Sequence, residues 1–213
     1  MQRYLRHAGS STEFWYPGTS KLNEMLLSQY LPDAQTRSDY DVFEQMPFAG
    51  FSINLGPKAL TRKHRDSSNV VHGLCTIFVF GDFTPTLSGH VVLHDAKIIL
   101  EVIPGDGYII LSSDIKHSNI RFIKADKNCR RQSIVHYTAG PLFQWLWDGR
   151  RLHKEVEDKE IDAYEGPLRF EELYNLLPTL EDLQDAEKTG VISDHNIEHI
   201  VQSGKSYIMR PFN

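Results

Sequence analysis

Residues 75–113, "CTIFVFGDFTPTLSGHVVLHDAKIILEVIPGDGYIILSS", alternate short apolar runs with segments rich in Gly, Pro, Asp and Ser. Runs of this length, rich in Val, Ile and Phe, are typical of β-strands, and the polar segments are typical of the turns between antiparallel strands. The same pattern extends from about residue 41 to residue 138. We therefore predict a mainly β fold with flanking helices, whose core is a double-layered jelly roll or a closed barrel.

The sequence on either side of this β region favours helices. Residues 19–31, "TSKLNEMLLSQYL", open on a capping Thr or Ser and place apolar residues at roughly helical spacing. Helical patterns return in "PLFQWLWDGRRLHKEVE" (141–157) and "PLRFEELYNLLPTLEDLQDAE" (167–187). We expect three parts: an N-terminal helical cover (1–40), a β core (41–150) and an acidic helical C-terminal extension (151–213).

The composition is that of an ordinary globular protein, with 213 residues, 40% of them hydrophobic and 24% charged. No apolar run approaches the roughly 20 residues that cross a bilayer, and the first residues lack the apolar stretch of a signal peptide. Cys75 and Cys129 form neither a disulfide framework nor a CxxC motif. We expect an intracellular protein, nuclear or cytoplasmic, that makes no membrane contact and is a monomer. Any metal would be held by His and carboxylate.

Charge is distributed unevenly around the net value of −5. Residues 51–153 hold 13 Lys and Arg against 8 Asp and Glu, whereas residues 154–187 hold 3 against 12. The central region is therefore mildly basic, which is compatible with a nucleic-acid partner but falls short of a strongly basic footprint. The acidic stretch is most simply a solvated helical face.

His64 and Asp66 lie two residues apart in "LTRKHRDSSN" (60–69), directly after a predicted strand. In extended backbone, residues i and i+2 project to the same side, so an imidazole and a carboxylate could reach one ion together. An HxD pair by itself is a weak signal, and a solvated turn explains it at least as well.

A second segment strengthens the metal hypothesis. His117 follows a strand-like run, and Arg131 and Ser133 come 14 and 16 residues later at the head of another strand. Two His and one carboxylate are the facial triad of non-haem Fe(II) oxygenases. An Arg with a hydroxyl two residues on could bind a planar carboxylate away from the metal. The ordered set is more specific than any of its members.

The segments "HRDSSN" (64–69), "DFTPTLSGHVVLHDAKIILEVIPGDGYIILSSDIKHSNIRF" (82–122) and "RRQSIVHYTAGPLFQWL" (130–146) carry a family resemblance. The sequence resembles the TET/JBP-like 2-oxoglutarate- and Fe(II)-dependent dioxygenases, with the greatest likeness to the transposon-associated set of mushroom-forming fungi. The resemblance covers roughly residues 45–148. It implies a double-stranded β-helix of the jelly-roll, cupin-like kind.

The resemblance also implies iron as the cofactor, and 2-oxoglutarate and O2 as cosubstrates. Its motifs make His64, Asp66 and His117 the iron ligands, and Arg131 and Ser133 the partners of the distal carboxylate of 2-oxoglutarate. The implied substrate is the methyl group of 5-methylcytosine or thymine in DNA or another nucleic acid, on a base flipped out of the stack.

Further residues could contact the cosubstrate or the substrate. Tyr137 shares the parity of Arg131 and Ser133, so we expect it on the inner face of its strand. His136 could serve at the rim or fill a gap between sheet and helix. Asn69 could orient the substrate or the Asp66 loop, with an ordinary Asx-turn as the equal alternative.

Two smaller points leave alternatives open. Asn54, with Ser52 on the same side of its strand, could touch 2-oxoglutarate, or the two could form a polar pair in a half-exposed strand. Ser88-Gly89-His90 stands where relatives tend to have GGH, and "IPGD" (103–106) where they tend to have PPGS, which puts the substrate in question more than the chemistry. The alternatives are the same chemistry on a protein side chain or small molecule, and a non-catalytic β-helix binding module.

Overall fold

The computed structural model describes residues 2–30, 47–87, 89–122, 129–156 and 174–191. The chain divides into two compact units, of which residues 50–138 form one and the segments 1–49 and 139–213 form the other. No helix within the described residues is long and apolar enough to cross a membrane.

Two antiparallel sheets form the unit at residues 50–138. The four-stranded sheet has the order β1-β7-β2-β5 and the three-stranded sheet the order β4-β3-β6. The strands, numbered in chain order, are β1 (Gly50–Asn54), β2 (Cys75–Asp82), β3 (Val91–Leu93), β4 (Ile98–Leu100), β5 (Gly107–Ile110), β6 (His117–Asn119) and β7 (Arg130–Tyr137). The predicted fold class, mainly β with flanking helices and a double-stranded β-helix core, is confirmed.

The hydrophobic core lies between the two sheets. Alternate residues of β2, namely Cys75, Ile77 and Val79, are buried there and pack with Val91 of β3 and Ile110 of β5. Because side chains alternate across a strand, one face of β2 supplies this core and its other face carries Thr76, Phe78 and Phe80. Burial of the apolar side chains on the inner faces stabilises the packing of strands that lie far apart in sequence.

Two predicted elements needed correction. The run "HVVLHDAKIILEVI" (90–103), whose composition favours a single strand, forms the short strands β3 and β4, joined by a turn in which Lys97 has a φ of 57°. The helix predicted over 141–157 ends at Trp147, because Gly149 and Arg150 adopt left-handed φ values of 68° and 63°.

Four α-helices and a short 3₁₀ helix (His153–Glu155) have both ends within the described residues of the other unit. The α-helices are α1 (Gln2–Trp15) and α2 (Pro17–Tyr30), both within the N-terminal segment expected to be helical, and α3 (Gly140–Trp147) and α4 (Leu180–Thr189). Pro17 suits the first position of α2, where no backbone N–H is needed. Thr179 caps α4 by accepting a hydrogen bond from the Asp182 N–H, and Gly190 ends the helix with a φ of 72°. Residues 157–173 and 192–213 of the predicted acidic extension lie outside the described residues.

Candidate metal and carboxylate site

Three side chains of the kinds that ligate metal ions meet at one wall of the β unit. His64 and Asp66 belong to the irregular segment between β1 and β2, and His117 begins β6. The backbones of His64 and His117 are joined by a pair of N–H to O hydrogen bonds of 3.0 and 2.9 Å. This bridge brings together two residues that are 53 positions apart in sequence.

Both imidazole rings are held in the same way. The Nδ1 of His64 lies 2.7 Å from the carbonyl oxygen of Arg62, and the Nδ1 of His117 lies 2.9 Å from that of Ile115. A carbonyl only accepts hydrogen bonds, so each Nδ1 is the donor, and Nε2 is the atom of each ring that can ligate a metal. The Nε2 atoms lie 3.2 and 4.0 Å from the two carboxylate oxygens of Asp66.

The donor set fits a divalent iron ion. One ligand atom from each of His64, Asp66 and His117 lies within 4.8 Å of the others. Two neutral imidazoles and one carboxylate on one side of an ion leave its opposite positions open. All three side chains are partly buried and line a cavity of about 630 Å³. An ion held here would face the cavity, where a second ligand can reach it.

Arg131 stands on another wall of the same cavity. Its side chain is 2% exposed, and its Nη1 donates a 2.6 Å hydrogen bond to the Ala59 carbonyl. Its Nε has no hydrogen-bond partner, and its guanidinium no carboxylate partner, within the described parts of the chain. A buried cation is costly unless an anion accompanies it. The guanidinium is therefore suited to bind a carboxylate that enters the cavity.

The surroundings of Arg131 complete this anion site. Ser133 lies two residues along β7 and its Oγ accepts a 3.0 Å hydrogen bond from the Asn54 side chain. Tyr108 of β5 lies beside the guanidinium: burial raises the pKa of Tyr108, and the charge of Arg131 opposes that rise. Burial lowers the pKa of Arg131, although a guanidinium remains protonated in proteins. Positive charge and hydroxyl groups thus converge at one place.

Two glycines make room for Arg131. Gly81 of β2 pairs with Arg131 and has a φ of 120°, and a side chain there would overlap the backbone of β7. Gly89 has a φ of 83°, and its added Cβ would lie 3.4 Å from the Arg131 Cδ and 3.2 Å from the Phe83 ring. Both positions need the conformational range and small size of glycine.

The cavity wall contains most of the residues proposed from the sequence. They are His64, Asp66, His117, Arg131, Ser133, Asn54, Ser52, Asn69 and Tyr137. The register explains why, because directly paired residues of neighbouring strands point to the same face. Asn54 pairs with Ser133, and Ser52 with Val135, on the inner face of the four-stranded sheet.

His136, one of the residues considered for substrate contact, does not line the cavity. It is fully buried on the opposite face of β7, where its ring lies 5.9 Å from that of Phe78 and 6.4 Å from that of Phe51. Burial lowers its pKa, so the ring is neutral at physiological pH. The predicted position of His136 at the rim is wrong, because alternation along the strand turns this side chain away from the cavity that Tyr137 lines. The alternative, a side chain that fills a gap in the packing, agrees with its full burial.

Asn69 has a fixed side-chain orientation. Its Nδ2 donates to the Ser112 Oγ at 3.1 Å and to the Cys75 Sγ at 3.2 Å, and its backbone N–H donates to the Asp66 carbonyl at 2.9 Å. Burial raises the pKa of the Cys75 thiol to about 12, so it stays protonated. The amide therefore ties the loop after Asp66 to β2, and its edge faces the cavity.

Several further residues line the cavity without having been predicted from the sequence. Tyr108 and Ile110 of β5, Cys75 and Ile77 of β2, and Asn119 of β6 all line the cavity. The period-2 pattern of "GYII" and "CTIFVF" indicates which residues share a face, but it does not reveal which of the two faces is the inner one. Pairing of Tyr108 with Ile77 settles that in the folded sheet.

A basic groove adjoins the cavity. It is lined by Lys58, Arg62, Lys63 and Arg121, together with Phe122, and it shares Lys58, Leu60, Thr61, Ser118 and Asn119 with the cavity. The Lys58 Nζ lies 5.8 Å from the centre of the Phe122 ring. None of the described residues that line this groove is acidic. Its positive charge favours an anionic ligand.

No protein-family model and no curated protein matches the sequence. Among solved structures, NgTET1 in complex with 5mC DNA is similar at 17% identity, covering 65% of this chain and 47% of that chain, with a TM-score of 0.44. A 2OG-Fe(II) oxygenase-family oxidoreductase from Burkholderia pseudomallei shares 20% identity over 52% of this chain and 55% of that chain, with a TM-score of 0.29.

An RmlC-like cupin protein from Desulfovibrio desulfuricans shares 12% identity over 41% of this chain and 71% of that chain, with a TM-score of 0.27. The alignments with the TET protein and the oxygenase thus span about half of those chains. At these identities and TM-scores, any functional proposal for this chain has to rest on the site itself.

Proposed function

We propose that this protein is an Fe(II)- and 2-oxoglutarate-dependent dioxygenase. The observation that carries the proposal is that one cavity holds two complementary groups. One is the cluster of His64, Asp66 and His117, whose ligand atoms lie within 4.8 Å of one another. The other is the buried Arg131, whose Nε lacks a partner in the described structure. A dicarboxylate that also binds a metal needs both groups.

Each residue then has a definite task. His64, Asp66 and His117 hold the metal, and the Arg62 and Ile115 carbonyls keep the two rings in the tautomer that ligates through Nε2. Arg131 and Ser133 bind the distal carboxylate of 2-oxoglutarate, and Asn54 orients the Ser133 hydroxyl.

Bound in this cavity, iron and 2-oxoglutarate would supply O2 activation and the transfer of one oxygen atom to a substrate C–H bond, with succinate and CO2 as coproducts. The apolar side chains of Ile77, Val91 and Ile110 reduce the access of water to the part of the cavity that they line. Tyr137 and Asn69 present a ring and an amide to the same space. They are our choice for residues that contact the substrate.

The proposed substrate is a methyl group on a nucleic-acid base, of the 5-methylcytosine or thymine type. The resemblance of the "HSN" and "RRQS" segments to TET/JBP-like enzymes suggests it, and the basic groove beside the cavity supports it. Four cationic side chains there could hold a phosphate backbone while a flipped base enters the cavity. The same groove would be unnecessary for a small neutral substrate.

The test is turnover on defined substrates. The protein is incubated with Fe(II), 2-oxoglutarate and ascorbate on DNA and RNA that contain 5-methylcytosine or thymine, and the digested nucleosides are analysed by mass spectrometry. We expect a nucleoside with one added oxygen in wild type, and none with Asp66→Ala. Succinate formation without any oxidised nucleoside would keep the dioxygenase chemistry and reject the nucleic-acid substrate in favour of a protein or small-molecule substrate.

A further inference from the structure

Arg65 lies between two of the proposed metal ligands and is held by two partners. Its Nη2 donates a 3.0 Å hydrogen bond to the Asp95 carboxylate, and its Nε donates a 2.7 Å hydrogen bond to the Asp114 carbonyl. The planar guanidinium can direct both hydrogen bonds at once. The orientation of the backbone between His64 and Asp66 is thereby tied to two other loops.

Asp95 links Arg65 to the backbone just before the third proposed ligand. It sits in the turn between β3 and β4, and its Oδ2 also accepts a 2.8 Å hydrogen bond from the backbone N–H of Lys116. Lys116 directly precedes the third ligand, His117. The hydrogen bond from Lys116, together with that from Arg65, lowers the pKa of Asp95, so the carboxylate is ionised at neutral pH.

The loop that leads to His117 is fixed at further points. The Asp66 N–H donates to the Ser112 carbonyl at 2.9 Å, and the Asp114 carboxylate lies 2.7 Å from the Nδ1 of His72. His72 follows Asp66 by six residues, so both ends of the segment 66–72 contact the loop 112–116. The Arg65–Asp95 pair closes this arrangement beside the ligands.

We propose that Arg65 and Asp95 act as a clamp that sets the spacing of the three metal ligands. Neither residue touches the cavity, so both are positioning residues. The inference rests on the proposed function, since it concerns the metal site of that function. Outer partners that orient metal ligands typically change metal affinity by about 10- to 100-fold when they are removed.

The clamp differs from an ordinary surface ion pair in what it should affect. Arg65 and Asp95 are 43% and 44% exposed, and pairs with such exposure contribute little to global stability. The clamp should therefore matter for the metal site and hardly at all for the unfolding midpoint. Lys21 and Glu24, a 3.3 Å pair in α2 with both side chains 50% exposed, provide a matched control.

Charge alone predicts the opposite result for Arg65. Removal of a positive charge next to a dication would tighten metal binding by Coulomb's law. Weaker metal binding by the Arg65→Gln variant would therefore show that Arg65 acts by positioning the ligands and not through its charge. Arg65→Lys keeps the charge, but one ammonium group cannot donate to both the Asp95 carboxylate and the Asp114 carbonyl with the geometry of the guanidinium. We therefore expect this variant to lose metal affinity as well.

The experiment is an anaerobic titration with Co(II), an ion whose visible absorption reports its ligand geometry, paired with a urea unfolding curve for each variant. We expect Arg65→Gln, Arg65→Lys and Asp95→Ala to weaken Co(II) binding by about 10- to 100-fold and to alter the spectrum. Asp95→Asn, which keeps an acceptor for the Lys116 N–H, should restore part of the affinity. Lys21→Gln should match wild type.

Two outcomes would overturn the inference in distinguishable ways. If wild type binds Co(II) and the clamp variants bind it equally well with unchanged spectra, the clamp is an ordinary surface contact and the proposed function stands. If wild type does not bind Co(II), the proposed function fails and the clamp fails with it. A loss of affinity that only parallels a lower unfolding midpoint would also reject positioning.

Discussion

Replacement of Arg131 by Lys should weaken 2-oxoglutarate binding while it leaves metal binding intact. Arg131 is 2% exposed, and its Nη1 is already occupied by the Ala59 carbonyl, so the cosubstrate would meet the remaining guanidinium N–H groups. A lysine keeps the charge but loses at least one charge-assisted hydrogen bond, which contributes about 1.5–3 kcal/mol. This corresponds to a Kd raised by roughly 10- to 150-fold.

The assay is a titration of 2-oxoglutarate into Fe(II)-loaded protein without oxygen, followed by the visible charge-transfer absorption of the complex. Arg130→Lys is the matched control, since Arg130 is the preceding, exposed residue of the same strand. We expect the control to bind 2-oxoglutarate like wild type. Equal 2-oxoglutarate affinity in wild type and Arg131→Lys would refute the assignment of the carboxylate site to Arg131.

Three further changes have defined outcomes. Gly81→Ala forces a Cβ into the backbone of β7 at a φ of 120°, so it should lower the free energy of unfolding by about 2 kcal/mol or more, and an unchanged urea midpoint would contradict this. Burial raises the pKa of Cys75 to about 12, so in a Cys129→Ala background iodoacetamide at about pH 8 should label Cys75 only after unfolding. Neutralising Lys58 and Arg121 with Gln should weaken DNA binding and flatten its salt dependence, whereas an unchanged slope would exclude the basic groove as the DNA-binding surface.

The inner face of β7 could be predicted from the sequence because side chains alternate along a strand. Arg131, Ser133 and Tyr137 share one parity, and the structure places all three on the cavity wall. The same rule places His136 on the opposite face, where Phe51 and Phe78 surround it. A substrate role for His136 conflicted with that alternation, and the alternation was the better guide.

Contacts that depend on long-range pairing could not be predicted. Tyr108 reaches Arg131 although β5 and β7 are separated by β2 in the sheet, and neither strand contains a local signal for that order. The contacts of Asp95 could not be predicted either, because nothing in the run at residues 90–103 indicated a tight turn between β3 and β4. That turn carries the carboxylate to Arg65 and to the Lys116 N–H.

The loop between β1 and β2 shows a similar limit. The HxD spacing predicted that His64 and Asp66 would point the same way, and the structure brings their side chains to 3.2 Å. It gave no sign that the His64 backbone pairs with that of His117. The bridge joins residues that are 53 positions apart, so the proximity of the third ligand depends on long-range pairing that the local sequence does not indicate.

The most direct test of the account is an anaerobic titration of wild type, Asp66→Ala and His117→Ala with Fe(II) and 2-oxoglutarate, followed by visible absorption. We predict a weak metal-to-ligand charge-transfer band that saturates at one Fe(II) and one 2-oxoglutarate per chain in wild type and is lost in both variants. Absence of the band in folded wild type, or its persistence in Asp66→Ala and His117→Ala, would contradict the assignment of this cavity as an iron and 2-oxoglutarate site.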